Sequence, residues 1–198
     1  MFTGIVQAVG RVADLKSSGV TAVVTIDAAG LDLADVAIGD SIACNGVCLT
    51  VTSLVTKGFT LDVSQETLRV TAGFTVGGRI NLEMAMRLSD RLGGHLVSGH
   101  VDGPGIVTAV KPVDANHEII VRFPTELGRY IARKGSIAIN GVSLTVNVVT
   151  VDSFSVNLIP HTLAVTNLGD LKQGDKVNLE IDLVARYVER MFDKDDQR

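Results

Sequence analysis

The sequence predicts an all-β protein in which one small barrel occurs twice in tandem and is followed by a short amphipathic helix. Three observations predict this fold. Segments recur at a fixed offset, the apolar runs are short and β-branched, and Gly, Asn or Asp interrupts them about every eight to twelve residues. Only the last segment changes to a helical period.

The repeat is the observation on which the domain organisation depends. SIACNGVCLTV begins at Ser41 and SIAINGVSLTV at Ser136, an offset of 95 residues (from 41 to 136). The same offset relates Gly4 to Gly99, Gly10 to Gly105, Phe59 to Phe154, and ETLRVT at Glu66 to HTLAVT at His161. After two extra residues in the second copy, RINLE at Arg79 matches KVNLE at Lys176. We therefore expect barrels over 1–93 and 94–184, then a helix and acidic tail over 185–198.

The strands of the first copy follow from its apolar, β-branched runs. We predict strands over 21–26, 42–49, 50–55, 59–63 and 79–84. About six antiparallel strands per copy would close into a barrel, which removes the edge strands that an open sheet exposes.

Asn45-Gly46 and Asn140-Gly141 predict two-residue type I′ hairpins, because both dipeptides lie between alternating apolar residues. Counting from the first turn places Cys44 opposite Val47, Ala43 opposite Cys48, Ile42 opposite Leu49 and Ser41 opposite Thr50. Ser41, Ala43, Cys48 and Thr50 then share one face, and Ile42, Cys44, Val47, Leu49 and Val51 share the other. Since Cys44 and Cys48 point to opposite sides, neither a disulfide nor a shared metal is expected.

The small, polar face recurs in the second copy as Ser136, Ala138, Ser143 and Thr145. A solvated Ser/Thr face is an ordinary feature of β proteins, but its repetition favours two similar ligand sites. The copies differ near this face: Cys48 becomes Ser143, Ile5 becomes His100 and Glu66 becomes His161. Such differences would let two sites treat one molecule differently.

The C-terminal segment has one apolar stripe at helical spacing, made of Leu183, Val184, Tyr187, Val188, Met191 and Phe192, with Asp182 placed to cap it. This helix either covers its own barrel or packs against its copies in an oligomer. The tail residues Asp193, Asp195 and Asp196 are expected to be solvated.

Several classes of protein are disfavoured by composition and motif. The net charge is −4 with scattered basic residues, which argues against nucleic acid. No apolar run reaches the about 20 residues of a membrane span, and the start lacks a signal peptide, so we expect a cytoplasmic protein. His95 and His100 lie five residues apart in a Gly-rich segment, which suits hydrogen bonding or acid–base chemistry better than a metal. No nucleotide-binding glycine motif or G-x-S-x-G elbow is present.

MFTGIV, NGVCLTV, ETLRVT, GGHLVSGH, NGVSLTV, LIPHTL and VNLEID are similar to the signature segments of the riboflavin synthase family, in order from Met1 to about Arg190. The resemblance implies two six-stranded antiparallel Greek-key barrels with a C-terminal helix, assembled as a homotrimer. It also implies that two 6,7-dimethyl-8-ribityllumazine molecules dismutate by transfer of a four-carbon unit, giving riboflavin and 5-amino-6-ribitylaminouracil without cofactor or metal. It raises the question of association with lumazine synthase.

The resemblance also implies site residues, grouped by copy. The first-copy pocket comprises Gly4, Ile5, Val6, Cys48, Leu49, Thr50, Asp62, Val63, Ser64, Gln65, Glu66 and Thr67. The second comprises Gly99, His100, Val101, Lys134, Ser143, Leu144, Thr145, Leu158, Ile159, Pro160, His161, Thr162 and Leu163. Catalytic roles fall on Cys48, His100, Ser143, Thr145, Asp182 and Ser41, and Phe2 joins the substrate contacts. We expect His100 with Ser143 or Thr145 to move protons in the second site, while Cys48 and Thr50 contact the ring in the first.

Two positions depart from the family pattern, because some members carry Asp where this chain has Asn140 and Glu where it has His161. We therefore assign no essential charged side chain to either position. The main alternative is a non-catalytic lumazine- or flavin-binding optical protein with the same two barrels. In that group the second-copy segments are degraded, whereas here they are intact. A flavin reductase domain would need an additional nucleotide-binding domain, for which the chain has no room.

Overall fold

The structure is a computed structural model that describes residues 1–19 and 21–192. Twelve strands form two sheets: β1 Ala8–Ser18, β2 Thr21–Asp27, β3 Ser41–Cys44, β4 Val47–Val55, β5 Gly58–Ser64, β6 Arg79–Met84, β7 Gly103–Val113, β8 Asn116–Arg122, β9 Ser136–Ile139, β10 Val142–Val149, β11 Ser153–Leu158 and β12 Lys176–Ile181. The α-helices are α1 Gln65–Val70, α2 Pro160–Val165 and α3 Leu183–Phe192. Short 3₁₀ helices span Thr125–Tyr130 and Asn167–Asp170.

The two sheets close into barrels, and both barrels have the same strand order. The first runs β1-β2-β5-β4-β3-β6, and the second runs β7-β8-β11-β10-β9-β12 around the ring, with antiparallel neighbours. The predicted duplicated, closed barrels are therefore confirmed. Alternation fills each interior, as in β2, where Ala22, Val24 and Ile26 are buried and their neighbours are half-exposed.

The predicted hairpin register is confirmed in full. β3 and β4 pair Ser41 with Thr50, Ile42 with Leu49, Ala43 with Cys48 and Cys44 with Val47. Asn45 and Gly46 have φ of 49° and 79°, the left-handed conformation that a type I′ turn needs at both positions. Both cysteines are free, as their opposite faces predicted.

One strand prediction was wrong, and one strand was not predicted. The break predicted between 49 and 50 does not exist, because the turn at Asn45-Gly46 ends β3 and β4 continues through Thr50 to Val55. No strand was predicted over Ala8–Ser18, where a bulge between Val12 and Asp14 interrupts the alternation. The equivalent bulge lies between Val107 and Ala109 in β7.

The barrels meet at the tips of their Asn-Gly hairpins, and the contacts are reciprocal. A Cβ on Gly46 would lie 2.7 Å from the backbone nitrogen of Gly141, and one on Gly141 would lie 2.7 Å from that of Gly46. Asn81 Nδ2 donates to the carbonyl of Asn140 at 3.0 Å, and Asn178 Nδ2 donates to that of Asn45 at 2.9 Å. Glycine is required at these tips because two backbones approach there.

The C-terminal helix α3 does not cover its own barrel, so that alternative is wrong. Tyr187, Met191 and Phe192 are 65%, 84% and 79% exposed, and Asp182 caps the helix by accepting from the Val184 N–H at 3.0 Å. The helix is held by its polar side, where Arg186 pairs with Asp102 and Glu189 accepts from Arg129 at 2.6 Å. The apolar stripe therefore faces away from the chain. The predicted tail residues Asp193, Asp195 and Asp196 lie outside the described residues.

In the described part of the chain, no helix is long and apolar enough to span a bilayer.

Candidate active site

The two small polar faces form the centre of the candidate site. We call Ser41, Ala43, Cys48 and Thr50 the first-barrel face, and Ser136, Ala138, Ser143 and Thr145 the second-barrel face; both have the predicted register. Thr50 and Thr145 are exposed, and Cys48 and Ser143 are half-buried. Ala43 and Ala138 are buried in a cluster with Phe2 and Val97. Each face is thus covered at its inner end and open at its outer end.

Two segments cross between the barrels and cover these faces. Phe2 and Val97 exchange backbone hydrogen bonds of 2.8 and 3.1 Å, which fixes the segments side by side. The Gly4 carbonyl then accepts from the Ser143 N–H at 2.8 Å, and the Gly99 carbonyl accepts from the Cys48 N–H at 2.9 Å. We call residues 2–5 and 97–100 the crossing segments, because each ends on the barrel of the other copy.

This crossing corrects the predicted grouping of site residues by copy. Gly4, Ile5 and Val6 accompany the second-barrel face, and Gly99, His100 and Val101 accompany the first. Val6 packs on the second barrel's core and Val101 on the first barrel's core. The repeat offset identifies equivalent positions, but equivalence does not reveal on which barrel a segment packs.

The glycines of the crossing segments allow the close approach. Gly4 and Gly99 have φ of 75° and 82°, where L side chains are strained. A Cβ on Gly4 would lie 2.6 Å from Ser143 Cβ, and one on Gly99 would lie 2.5 Å from Cys48 Cβ. Both positions therefore require glycine for conformation and for space.

Two buried carboxylates hold the crossing segments. Glu83 Oε1 accepts from Thr3 N and Thr3 Oγ1, both at 2.7 Å, and Oε2 accepts from Gly4 N at 3.0 Å. Glu180 Oε1 accepts from Ser98 N at 2.6 Å and Ser98 Oγ at 2.7 Å, and Oε2 accepts from Gly99 N at 3.0 Å. Burial raises the pKa of both carboxyls, and these hydrogen bonds oppose the rise. Neither glutamate was predicted as a site residue, although each is the last residue of the repeated segments RINLE and KVNLE.

His95 contacts the second-barrel face directly. Its Nδ1 lies 2.7 Å from Ser143 Oγ, its side chain is 8% exposed, and its Nε2 is buried with no hydrogen-bond partner among the described residues. Burial lowers the pKa of His95, and the charge of Asp182 opposes this. A neutral imidazole beside a hydroxyl can exchange a proton with it.

His100 was expected to move protons together with Ser143 or Thr145; among the described residues no hydrogen bond joins its side chain to either of them, and this role stays a prediction. His95 is the histidine on Ser143, whereas His100 follows Gly99, which contacts Cys48. His95 was predicted to serve as a hydrogen-bonding or acid–base residue, but its partner was not predicted.

The open ends of the faces are bordered by the next strand and a short helix. Val51 pairs with Leu61 and both are buried, so Thr50 and Asp62, one step away on each strand, point outwards together. Ser64 caps α1 by accepting from the Thr67 N–H at 3.0 Å. The remaining rim residues of this copy, Gln65 and Glu66, are exposed on α1.

The second barrel has the equivalent border. α2 begins at Pro160, with Ile159 and His161 exposed and Thr162 and Leu163 half-buried. Asn157 is exposed on β11 at the position that the repeat offset relates to Asp62, and it was missed although that offset identifies it. Lys134 has φ of 67°, a strained value for lysine, at the turn where its N–H donates to the Val146 carbonyl.

Four predicted contact residues have buried side chains. Phe2, Leu49, Val63 and Leu158 are at most 7% exposed and belong to the hydrophobic clusters. Leu144 packs partly against the second core. A contribution of these residues to ligand binding through their backbone stays a prediction.

A cleft of about 440 Å³ lies away from both faces, between the barrels on the side of Arg79, Asp170 and Lys176, and no predicted site residue lines it. Among residues 1–19 and 21–192, no group of three or more His, Cys, Asp or Glu side chains could hold a metal ion.

Comparison with known proteins agrees with the duplication. The model of the lumazine binding domain matches twice, at residues 3–85 and 98–182. The riboflavin synthase of Photobacterium phosphoreum is 46% identical over 97% of this chain and 89% of its own length. That of Bacillus subtilis (strain 168) is 40% identical over 98% of this chain and 91% of its own. The structure of LumP complexed with riboflavin is 27% identical, with a TM-score of 0.85 over 91% of this chain and 99% of LumP. A duplicated lumazine binding domain and relatives of this identity and coverage show that the chain belongs to the riboflavin synthase family.

Proposed function

We propose that the protein is a riboflavin synthase. It converts two molecules of 6,7-dimethyl-8-ribityllumazine into riboflavin and 5-amino-6-ribitylaminouracil by transferring a four-carbon unit from one to the other, with no added cofactor or metal. The observation that carries the proposal is the presence, in a chain of this family, of two equivalent faces with different reactive groups. One face has the Cys48 thiol and the His100 segment, and the other has the Ser143 hydroxyl with His95.

The reaction explains why equivalent faces should differ. Both substrates are the same molecule, so similar pockets suit both. One molecule must lose a proton from its C7 methyl group while the other accepts a nucleophile at C7, so the groups that contact them must differ. Holding the two rings in a reactive geometry supplies most of the acceleration. Proton transfer by positioned side chains adds about 10² to 10⁴.

We assign the proton-transfer role to Ser143 and His95. In the tautomer with its proton on Nε2, the His95 Nδ1 accepts from the Ser143 hydroxyl, and burial favours this neutral imidazole. Thr145 lies at the open end of the same face, and Asp182 acts on His95 by its charge. On the first-barrel face, we assign Cys48 and Thr50 to contact the substrate ring and His100 to cover it. Ser41, which pairs with Thr50 across β3 and β4, supports the position of Thr50.

We further propose that the two reacting molecules meet between subunits of a homotrimer, on the first-barrel face of one chain and the second-barrel face of its neighbour. His100 and Ser143, which are apart within one chain, would then lie on opposite sides of one reaction site. The outward apolar stripe of α3 supports such an assembly, because a contact between unlike surfaces can close a ring of three. We place the enzyme in the cytoplasm; association with lumazine synthase is a separate hypothesis that copurification would test.

A second function is favoured by one observation. LumP, whose structures with 6,7-dimethyl-8-(1'-D-ribityl) lumazine and with riboflavin resemble this fold, is an example of the same two barrels holding these ligands. A non-catalytic binding protein of this kind would need only one competent face. Two complete faces favour the synthase.

The test is to incubate the purified full chain with 6,7-dimethyl-8-ribityllumazine, without cofactor or metal, and to follow products by absorbance and chromatography. One riboflavin for every two lumazines consumed is the expected result. Tight binding without turnover would favour the binding protein, and no binding would contradict both functions.

A further inference from the structure

Glu83 and Glu180 lie on different barrels, and each holds a crossing segment that ends on the barrel of the other. Glu180 is part of β12 in the second barrel, and the segment it holds delivers Gly99 to Cys48 of the first. Glu83 is part of β6 in the first barrel, and its segment delivers Gly4 to Ser143 of the second. Each glutamate therefore pairs with the buried alanine of its own barrel's face, Ala43 for Glu83 and Ala138 for Glu180, and holds a segment that reaches the face of the other barrel.

An unbroken series of hydrogen bonds leads from each carboxylate to the backbone N–H of the residue that follows the crossing glycine. Ser98 Oγ donates to Glu180 and accepts from the His100 N–H at 3.2 Å. Thr3 Oγ1 donates to Glu83 in the same way and accepts from the Ile5 N–H at 3.2 Å. The backbones of His100 and Ile5 are thus held by equivalent hydroxyls and equivalent carboxylates.

The geometry requires a charged acceptor at both positions. Every hydrogen bond that the described residues make to these carboxylates comes from an N–H or O–H donor. A glutamine in either place would turn its own N–H₂ towards the backbone N–H of Gly4 or Gly99, and that bond would be lost. Aspartate would be one methylene too short to reach the segment.

We propose that Glu180 and Glu83 are positioning residues that act across the two barrels: Glu180 sets His100 over the first-barrel face, and Glu83 sets Ile5 over the second-barrel face. This rests on the proposed function only in taking the two faces as the ligand sites. Each face is then completed by a carboxylate of the other barrel.

Alkylation of Cys48 by iodoacetamide in the native full chain measures how firmly the His100 segment covers the first-barrel face. The chain has two cysteines, and Cys44 is fully buried with the pKa of its thiol raised by burial, so Cys48 is the accessible reporter. Glu180→Gln is expected to accelerate Cys48 alkylation about tenfold, the effect of one lost buried hydrogen bond. Glu83→Gln, the matched control, should leave the rate unchanged.

The reporter is then moved to the other face in a C48S/S143C chain. There the result should reverse, with Glu83→Gln accelerating alkylation and Glu180→Gln leaving it unchanged. A general loss of stability would accelerate both reporters in both variants, so equal effects would overturn the proposal, as would no effect in either.

If a glutamine variant fails to fold by circular dichroism, Ser98→Ala and Thr3→Val replace the pair, because they remove only the hydroxyl between carboxylate and segment. The same face-specific pattern is expected, and its absence would overturn the proposal. No substrate is used, so a chain that lacks turnover would contradict the proposed function and leave this result decisive.

Discussion

The two barrels share their framework and differ in the groups they present to a ligand. Both have the same strand order, the same Asn-Gly hairpin and the same glutamate holding a crossing segment. The first-barrel face combines a thiol with the histidine-bearing segment, and the second combines a hydroxyl with Ile5 and a buried histidine. The hairpins and the glutamates are thus retained in both copies, as are the Ser, Ala and Thr of each face. The differences are concentrated at Cys48, which corresponds to Ser143, and at Ile5, which corresponds to His100.

A second difference lies beside the helix. Gln7 Oε1 accepts from the Met84 N–H at 2.8 Å, while its equivalent Asp102 accepts from the Ile181 N–H at 2.9 Å and also pairs with Arg186 of α3. Only the second copy of this position is charged. Asp102 therefore links the segment after His100 to α3, the helix proposed to join the subunits.

The largest expected effect comes from removing residues 183–198. The apolar stripe of α3 and the Arg186–Asp102 pair are then lost together. We expect no trimer in sedimentation and no measurable riboflavin formation. Met191→Glu, which keeps the ion pair and charges the exposed stripe, should also weaken assembly, and an active monomer from either variant would contradict the trimer.

Removing the reactive group of each face tests whether the faces have different roles. Ser143→Ala should lower kcat by about 10² or more, because it removes the partner of His95 in proton transfer. Cys48→Ala should cost less than about tenfold, since that thiol is assigned to contact rather than proton transfer. Stopped-flow turnover measures both, with urea unfolding as the control for folding. Equal losses would show that the faces are chemically alike.

Gly4→Ala and Gly99→Ala test whether the two crossings are equally tight. Each new Cβ meets both the side chain and the backbone of its partner, so each should lower the free energy of unfolding by about 2–4 kcal/mol. Gly73→Ala is the matched control, with φ of 78° and nothing within 4 Å of the added carbon. It should cost only about 1 kcal/mol. A cost no larger than the control's at Gly4 or Gly99 would contradict the close approach.

The smallest effect is a pH dependence specific to the second-barrel face. Burial lowers the pKa of His95 in the folded chain below its unfolded value of about 6.5, so the unfolded chain binds the proton first as pH falls. Stability should therefore decrease on acidification below that value, by at most about 1.4 kcal/mol per pH unit. The free energy of unfolding is measured at pH 7.5 and 5.5 for the unaltered chain and for His95→Gln. Both proteins contain Glu83 and Glu180, so the contribution of their raised pKa values cancels in the difference between them. Identical pH dependence would show that His95 is not buried as a neutral ring.

Local signals in the sequence predicted much of this molecule. The Asn-Gly turns fixed the pairing of Cys48 with Ala43 because two-residue turns determine register within a few residues. The helix and its Asp182 cap were predicted from periodicity. β1 was missed because its bulge breaks the alternation on which strand prediction depends.

The candidate site was predicted less well, because its contacts are between distant residues. Ser143 lies 48 residues from His95, and Thr3 lies 80 residues from Glu83, so no local pattern relates either pair. Asn157 could have been predicted from the sequence, since it occupies the position that the repeat relates to Asp62. The crossing of the segments could be found only from the packing of Gly4 on Ser143 and of Gly99 on Cys48.

The reciprocal hairpin contact has a consequence for how the two copies could diverge. Gly46 meets Gly141 as Gly141 meets Gly46, and the asparagine bonds at the same place are exchanged in both directions. This is the isologous geometry of a twofold dimer, formed here within one polypeptide. In a dimer of identical barrels, every substitution occurs in both partners and must be tolerated by both at once. When two barrels are joined in a single gene product, each position is encoded separately, so Cys48 and Ser143 can be selected independently while the symmetric contact is kept.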